Sequence, residues 1–348
     1  MIIEDISYKK ALSLAHKHAM EADPDVFVFG LDVPDHKQIF GSLEGIHEQF
    51  GDRRCFGTPL AEESMTGVAL GAALSGLRPI HIHIRADFLL LAMNQLINMI
   101  SNMRYMSAGE LKVPILIRAI IGKGWGQSCQ HSKSMHSIFT HFPGIKLIMP
   151  TRVQDAYSLT RTAIEDNNPI ISLEHRLLYD IKGTIDTDLK VPLGKANILS
   201  EGTDLTLITT SWMAIEGLRV VEIMKNYHNI SVELIDVLSI SPIDKDTIVQ
   251  SVQKTRKVVI ADYDWDFCGF SSELASMIGY ACFNKLDCPV ERMGFQNVPC
   301  PTSRPLENLF YTTSEDIIRK IERMFKLTPS NLEDEEFYSY ENKFKGPF

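Results

Sequence analysis

Cysteine is scarce: six residues (Cys55, Cys129, Cys268, Cys282, Cys288 and Cys300) are scattered over 348 positions, and no two form a Cys-x-x-Cys pair. That pattern argues against a disulfide framework and implies no zinc site; it fits buried thiols in a reducing compartment. Positive charge is also in short supply, with 35 lysines and arginines against 44 acidic residues and a net charge of −9. A general electrostatic grip on nucleic acid or an anionic membrane surface is therefore disfavoured. Long apolar runs are missing too. The longest stretch without a charge, Phe88 to Met103, is interrupted by Asn94, Gln95, Asn98 and Asn102, and it falls short of the roughly 18 apolar residues that a membrane span needs. The start, Met1-Ile-Ile-Glu-Asp5, has neither the basic residues nor the apolar core of a secretory signal. These readings place the chain in the cytoplasm, with no membrane and no nucleic-acid partner. The common phosphate cradles are absent as well: no Gly-x-Gly-x-x-Gly, no Gly-x-x-x-x-Gly-Lys-Ser/Thr and no His-Glu-x-x-His occurs. Nor is there an internal repeat or a low-complexity tract.

What remains is an ordinary globular composition, 45% hydrophobic and 23% charged, in a chain long enough for two domains. The first half alternates short apolar strands with helices. Strands are expected at Val26–Gly30, Pro79–Ile84, Val113–Ala119, Ile145–Met149 and Ile170–Leu173, and helices at Tyr8–Glu21, Ala61–Ser75, Leu89–Ser107 and Arg152–Asp166. A polar segment at 180–192 reads as a linker. A second alternation follows, with strands at Leu205–Thr209, Val232–Ile235 and Val258–Ala261 and helices at Trp212–Asn226, Asp244–Lys254, Ser271–Ala281 and Ser314–Phe325. The fold class is α/β, as two doubly wound domains over 1–185 and 190–326. Residues 327–348 form an acidic tail that also carries Tyr338, Tyr340 and Phe344, read as frayed, with a partner-binding role as the alternative.

One stretch carries most of the chemistry. In Thr58-Pro-Leu-Ala-Glu-Glu-Ser-Met-Thr-Gly-Val-Ala-Leu-Gly-Ala-Ala-Leu-Ser-Gly-Leu-Arg-Pro-Ile80, Pro59 opens a turn and Glu62 and Glu63 fall in the first turn of a helix. The residues that follow are small, which permits close packing. Acidic residues are common in first turns for dipole reasons alone, so a functional glutamate does not follow from the helix itself. Gly122-Lys-Gly-Trp-Gly126 fits no nucleotide fingerprint and reads as an active-site loop. His81 and His83 alternate on one strand face, a spacing that suits a metal. No third ligand lies nearby in sequence, so they are read as shaping a pocket.

The Thr58–Ile80 run is followed by Asp87-Phe-Leu-Leu-Leu-Ala-Met-Asn-Gln-Leu-Ile-Asn98, Tyr105-Met-Ser107, Gln130-His-Ser132, His141-Phe-Pro-Gly-Ile-Lys146 and Ala163-Ile-Glu-Asp-Asn-Asn-Pro169. In this order the motifs resemble the beta subunit of the thiamine-diphosphate-dependent first component of 2-oxo acid dehydrogenase complexes, such as pyruvate dehydrogenase. Pro192-Leu-Gly-Lys-Ala196, Glu201-Gly-Thr-Asp204 and Ile235-Asp-Val-Leu-Ser-Ile-Ser-Pro-Ile-Asp244 resemble the transketolase-type carboxy-terminal domain. The likeness spans about residues 3–325. It implies a pyrimidine-binding (transketolase-like) domain followed by a transketolase C-terminal-type domain.

It also implies an α2β2 heterotetramer with thiamine diphosphate lying between subunits. The diphosphate half of such enzymes carries Gly-Asp-Gly, followed roughly 30 residues later by Asn-Asn, which serves as an anion and metal site. Here the only Gly-Asp is Gly51-Asp52, followed by Arg53, and Asn167-Asn168 is far away. An alpha subunit is therefore expected to hold the diphosphate and Mg²⁺.

By the same resemblance Glu62, rather than Glu63, is catalytic: it hydrogen-bonds a ring nitrogen of the aminopyrimidine and so favours the imino form that deprotonates the thiazolium carbon. Phe88 lies where the family carries a ring against the pyrimidine, with an ordinary core phenylalanine as the rival reading. His131 matches a histidine beside the reacting substrate, able to stabilise charge or orient a lipoyl acceptor. His136 and His141 are read as packing or surface residues. Ile115, Ala163, Ile164, Asp166 and Asn168 match a turn that holds a structural potassium ion in related subunits, against the plainer reading of a helix-ending turn.

The chain departs from the family pattern at Gly30-Leu31-Asp32, at Ile82 where an acidic residue is usual, and at Arg85 where an uncharged one is usual. The expected reaction is decarboxylation of pyruvate or a similar 2-oxo acid with acyl transfer to the lipoyl group of an acyltransferase. The alternatives are a transketolase-like carboligating subunit that uses an aldehyde acceptor, and a non-catalytic scaffold.

Overall fold

The computed structural model describes residues 1–122 and 127–337. Lys123–Gly126 of the expected active-site loop, and Tyr338, Tyr340 and Phe344 of the tail, lie outside the described residues. In chain order the strands are β1 (Ile2–Ser7), β2 (Val26–Gly30), β3 (Cys55–Gly57), β4 (Arg78–His83), β5 (Leu116–Ile121), β6 (Lys146–Ile148), β7 (Ile170–His175) and β8 (Lys182–Asp186). They continue with β9 (Asn197–Ser200), β10 (Leu205–Thr209), β11 (Val232–Asp236), β12 (Ser239–Ser241), β13 (Val258–Trp265) and β14 (Glu291–Phe295). The chain divides into two units; residues 239–242 belong to the first, and 195–238 and 243–337 to the second.

The first unit is built on a sheet of order β12-β6-β7-β5-β4-β2-β3. Its neighbours are parallel except for the antiparallel edge pair β12 and β6. Every residue of β5 and β7 is buried, as expected for parallel strands covered by helices on both faces. The helices Tyr8–Ala22 and Val153–Glu165 pack against each other, and the Tyr8 and Tyr179 rings stack at 5.8 Å. The second unit carries a sheet of order β14-β13-β10-β11-β9, parallel but for β9. Its helix Ser314–Phe325 is opened by a reciprocal cap in which Thr313 N donates to Asp316 at 2.9 Å and Asp316 N to Thr313 Oγ1 at 3.3 Å.

Three expectations are corrected. The Leu89–Ser107 helix is three pieces: a 3₁₀ stretch Ala86–Ala92, a π-helical stretch Asn94–Ile100 and an α-helical turn Ser101–Met106. Ser101 Oγ and Asn102 Nδ2 both donate to the Ile97 carbonyl, at 2.5 and 3.1 Å, so side chains compete there for the acceptor that a regular helix reserves for its own ladder. The first half of the presumed linker is strand β8, paired antiparallel to β1 with Ile3 opposite Ile185. The described part of the tail is tied down: Ser330 N donates to Glu322 at 2.7 Å, and Tyr227 Oη donates to Glu335 at 2.8 Å. Of the cysteines, Cys55, Cys282 and Cys300 are buried while Cys268 is exposed; all six are free. Among the described residues no helix is long and apolar enough to cross a membrane.

Candidate active site

The carboxyl ends of β2 and β4 lie side by side, with Phe29 opposite His81 and Gly30 opposite Ile82. Glycine is required at position 30: its φ is +149°, and a Cβ there would stand 2.3 Å from the Ile82 carbonyl oxygen. The Gly30 carbonyl accepts from Thr58 N at 3.1 Å, and the Pro59 carbonyl accepts from Ala61 N at 2.9 Å. This anchored turn delivers the helix Glu62–Leu74, whose first residue is Glu62. A ligand in a parallel sheet is bound outside the carboxyl ends of its strands, which is where this helix begins.

The two glutamates of the first turn separate by environment. Glu62 is half-buried and Glu63 is exposed. Glu62 lines a tight recess, too narrow to hold a water, together with Leu31, Met65, His81 and His83, and its carboxylate has no hydrogen-bond or ion-pair partner among the described residues.

His81 and His83 are each only 2% exposed. Their rings meet edge to face at 4.3 Å, and His81 stacks on Phe29 at 4.5 Å. Burial lowers the His81 pKa to about 4, and burial and then the neighbouring His81 hold His83 well below the usual imidazole range. Both rings are neutral at neutral pH; the Phe29 backbone supports the His81 ring, and no hydrogen bond to either His83 nitrogen occurs among the described residues.

Phe88 and His131, 43 residues apart in sequence, are brought together: both are half-buried, and their rings meet at 5.4 Å and 71°. An ion pair that the sequence did not announce supports this contact. Lys133 Nζ lies 2.9 Å from Asp87 Oδ1, whose side chain is 5% exposed, so the residues flanking Phe88 and His131 are cross-linked. Asp87 was visible within a motif; Lys133 carried no signal, because a pairing across such a separation leaves no period in a sequence. The buried Arg85 donates to the Gly122 carbonyl at 3.2 Å, joining the start of the same 3₁₀ stretch to the end of β5. The helix Glu62–Leu74 packs directly on that stretch.

The turn after the helix Val153–Glu165 gathers the expected cation ligands beside Ile115. The Ile115 carbonyl accepts from Ile170 N at 2.9 Å. The Arg78 guanidinium donates to the carbonyls of Ile164 and Asp166, at 2.8 and 2.7 Å through Nη2. Asp166 is further held by Lys146 at 2.6 Å, and Asn168 by Arg104 at 2.6 Å. Two of the presumed backbone ligands thus already face a cation; each carbonyl has a second lone pair left. Ala163 is buried in the last turn of the helix. His136 is fully buried with Nδ1 2.9 Å from Ser134 Oγ, whereas His141 is exposed. Among the described residues no group of three His, Cys, Asp or Glu side chains could hold a metal ion.

The arrangement therefore offers a half-buried carboxylate beside neutral imidazoles, and an aromatic ring against a half-buried histidine. Comparison with known proteins gives this geometry its context. Residues 4–182 match the family described as "Transketolase, pyrimidine binding domain", and residues 194–317 match "Transketolase, C-terminal domain". The chain is 35% identical over 323 residues to the pyruvate dehydrogenase E1 component subunit beta of Rickettsia felis, covering 92% of this chain and 98% of that one. It is 36% identical over 313 residues to the 2-oxoisovalerate dehydrogenase subunit beta of Bacillus subtilis, covering 89% and 95%. A solved structure described as a split-gene transketolase, an inactive beta4 tetramer, shares the fold with a TM-score of 0.74 at 20% identity, over 93% of this chain and 100% of that one. By its two domains and by its relatives over nearly its whole length, the chain belongs to the beta subunits of the thiamine-diphosphate-dependent 2-oxo acid dehydrogenases.

Proposed function

We propose that this chain joins an alpha subunit in a cytoplasmic α2β2 enzyme that decarboxylates pyruvate or a similar 2-oxo acid and transfers the acyl group to a lipoyl carrier. The observation that carries this reading is the pairing of a half-buried Glu62, without a partner among the described residues, with an exposed Glu63 at one helix start. The residues fit the pyrimidine end of thiamine diphosphate: an open carboxylate at Glu62 and an aromatic ring at Phe88. When bound, the cofactor supplies the acidic thiazolium carbon and the electron sink for decarboxylation. Glu62 holds the proton shared with the aminopyrimidine ring nitrogen. Phe88 covers one face of that ring. His131, held against Phe88, orients the reacting group and stabilises negative charge on it. The Asp87–Lys133 pair keeps the two segments in register. Mg²⁺ belongs mainly to the alpha partner.

The reading is tested on the complex with its alpha partner. Glu62→Gln should reduce turnover by at least about 100-fold, the scale of a lost acid–base group, while calorimetric cofactor affinity stays within a few-fold. Full activity in that variant would sink the assignment. Acylation of a lipoyl domain is the expected product test; ligation to an aldehyde instead would move the chain to the carboligating class, and no turnover of any 2-oxo acid would revive the scaffold reading. Potassium is proposed for the Ile115, Ala163, Ile164, Asp166 and Asn168 turn, beside the Arg78 guanidinium. Replacing potassium by choline should lower the melting temperature of the first unit, and an unchanged melting curve would remove the ion from the account.

A further inference from the structure

We propose that the cleft between the edge strand β14 and the helix Ser314–Phe325 docks an extended acidic segment of a partner chain. The segment adds a strand along β14, sets its carboxylates against the basic face of the helix and lays apolar side chains on the exposed residues at the rim.

The second sheet ends at β14, which pairs with β13 and with no further strand. Such an edge presents its outer backbone groups to any chain laid beside it. Towards its carboxyl end the edge is covered: Thr312 Oγ1 donates to the Gly294 carbonyl at 2.7 Å, and Gln296 N donates to the Phe310 carbonyl at 3.0 Å. By the two-residue period of a strand, the backbone of Arg292 turns to the same side as that of Gly294, and no strand lies against it. The cleft holds about 1060 Å³, and its walls are the unbroken run 292–297 and, from the helix, Asp316, Arg319, Lys320 and Arg323. Their spacing of three and four residues places these four on one helix face. An extended chain rises about 3.3 Å per residue, so the strand wall is about 20 Å long and suits a segment of about six residues.

Charge identifies the occupant. Arg292, Arg319, Lys320 and Arg323 line the cleft against only two carboxylates, Asp266 and Asp316, on a chain whose net charge is −9. Asp316 is already engaged by the cap at Thr313. Arg319 is held by Glu315 and Glu322, and Lys320 by Glu291 at 2.9 Å. Arg323, by contrast, is exposed and has no hydrogen-bond or ion-pair partner among the described residues. The rim supplies an apolar half: Phe267, Val298, Leu306 and Leu309 line the same cleft and are 50% to 79% exposed. Exposed apolar side chains gathered beside polar ones mark an interaction site, and main-chain pairing with side-chain pockets is how an extended peptide joins a sheet edge. The chain's own acidic run at 333–336 is not the occupant, because Glu335 accepts from Tyr227 at 2.8 Å and pairs with Arg219.

The test uses the complex with its alpha partner, and its probe is a library of random dodecapeptides displayed on phage. Enriched peptides should interleave aspartate or glutamate with apolar residues. The strongest binder, made synthetically and measured by fluorescence anisotropy, should lose affinity at least about 10-fold in Arg323→Glu, a reversed charge at a complementary surface. Arg323→Lys should bind nearly as the wild type does, and binding should weaken as salt is raised. Hydrogen–deuterium exchange at the Arg292 and Gly294 amides should slow when the peptide binds, the mark of an added strand. Turnover of the 2-oxo acid should be the same in Arg323→Glu, which shows that the assembly is intact. The proposal is overturned if no peptide is enriched, if binding ignores Arg323→Glu, or if the β14 amides stay unprotected. It is equally overturned if light scattering shows the complex pairing with itself and Arg323→Glu halves the particle mass, since the occupant is then a second copy.

Discussion

The most demanding residue in the chain is Arg118, in the middle of β5 and 2% exposed. Its Nε and Nη2 donate to the two carboxylate oxygens of Glu174 at 2.6 and 2.7 Å, while Tyr179 Oη donates to Glu174 at 2.8 Å. Nη1 lies 3.2 Å from His16 Nε2, and His16 Nδ1 lies 2.6 Å from the Leu12 carbonyl. The neighbours fix the tautomer: Nε2 accepts from the guanidinium and Nδ1–H donates to the carbonyl. Removing one member of such a pair strands the other's charge. Arg118→Met should therefore cost about 3–5 kcal/mol in urea denaturation, and a compensating Glu174→Leu should recover much of it. Burial first, and then Arg118, hold the His16 pKa well below its usual value. A histidine that is neutral when folded and protonates near pH 6.5 when unfolded contributes stability above that pH and loses it below. His81 and His83 act in the same direction. The melting temperature should fall between pH 7 and pH 5, and the fall should be smaller in His16→Gln relative to its own value at pH 7. None of this network was legible in the sequence, where Arg118 falls inside the run Val113–Ala119 that reads as an apolar strand and Glu174 lies just past the run Ile170–Leu173.

At the scale of elements, legibility followed length and local period. The strand Leu205–Thr209 and the helix Ser314–Phe325 were expected with the bounds they have, because a buried apolar run and an amphipathic period are local signals. Three-residue strands such as β3 and β12 were missed, since so few residues carry no period. Site legibility divided the same way. Glu62 stood out only through a motif, and its separation from Glu63 is a matter of burial that spacing does not encode. The tail was misread because its contacts lie far back in the chain. Beyond the helix Ser314–Phe325 it is held by Glu322, which accepts from Ser330 N at 2.7 Å and lies 3.0 Å from His228 Nε2 and 2.9 Å from Arg319 Nη1. Burial alone would raise the Glu322 carboxyl, but the Ser330 amide, His228 and Arg319 together bring it from 4.5 down to about 2. A depressed carboxyl contributes stability that is present above its unfolded pKa and is lost as pH falls through the folded one. Protection of the 327–337 amides, their exchange relative to that of an unstructured chain at the same pH, should therefore fall as the pH drops from about 4.5 towards about 2. Glu322→Gln should show fast exchange already at neutral pH, and slow exchange there would refute the clamp.

At the scale of the whole molecule, two α/β units follow one another in a chain whose candidate chemistry sits in the first. Glu62, Phe88 and His131 all belong to that unit, at or beyond the carboxyl ends of its strands. In the function proposed above they serve the ring end of the cofactor and the reacting carbon. The charged end needs different chemistry: a diphosphate with a divalent cation calls for oxygen ligands and backbone amides arranged around the ion. The Gly-Asp-Gly and Asn-Asn pattern that supplies them in such enzymes does not occur here, since Gly51-Asp52 runs into Arg53. Affinity for thiamine diphosphate should then be a property of the assembly. The purified chain alone should bind the cofactor at least about 100-fold more weakly than the complex with its alpha subunit, a difference of about 2.7 kcal/mol. Chelating divalent cations should weaken binding by the complex and leave the residual binding by the lone chain unchanged. Titration calorimetry with and without the partner separates the cases: equal affinities would mean that this chain carries a diphosphate site of its own and that the division of labour between subunits is wrong.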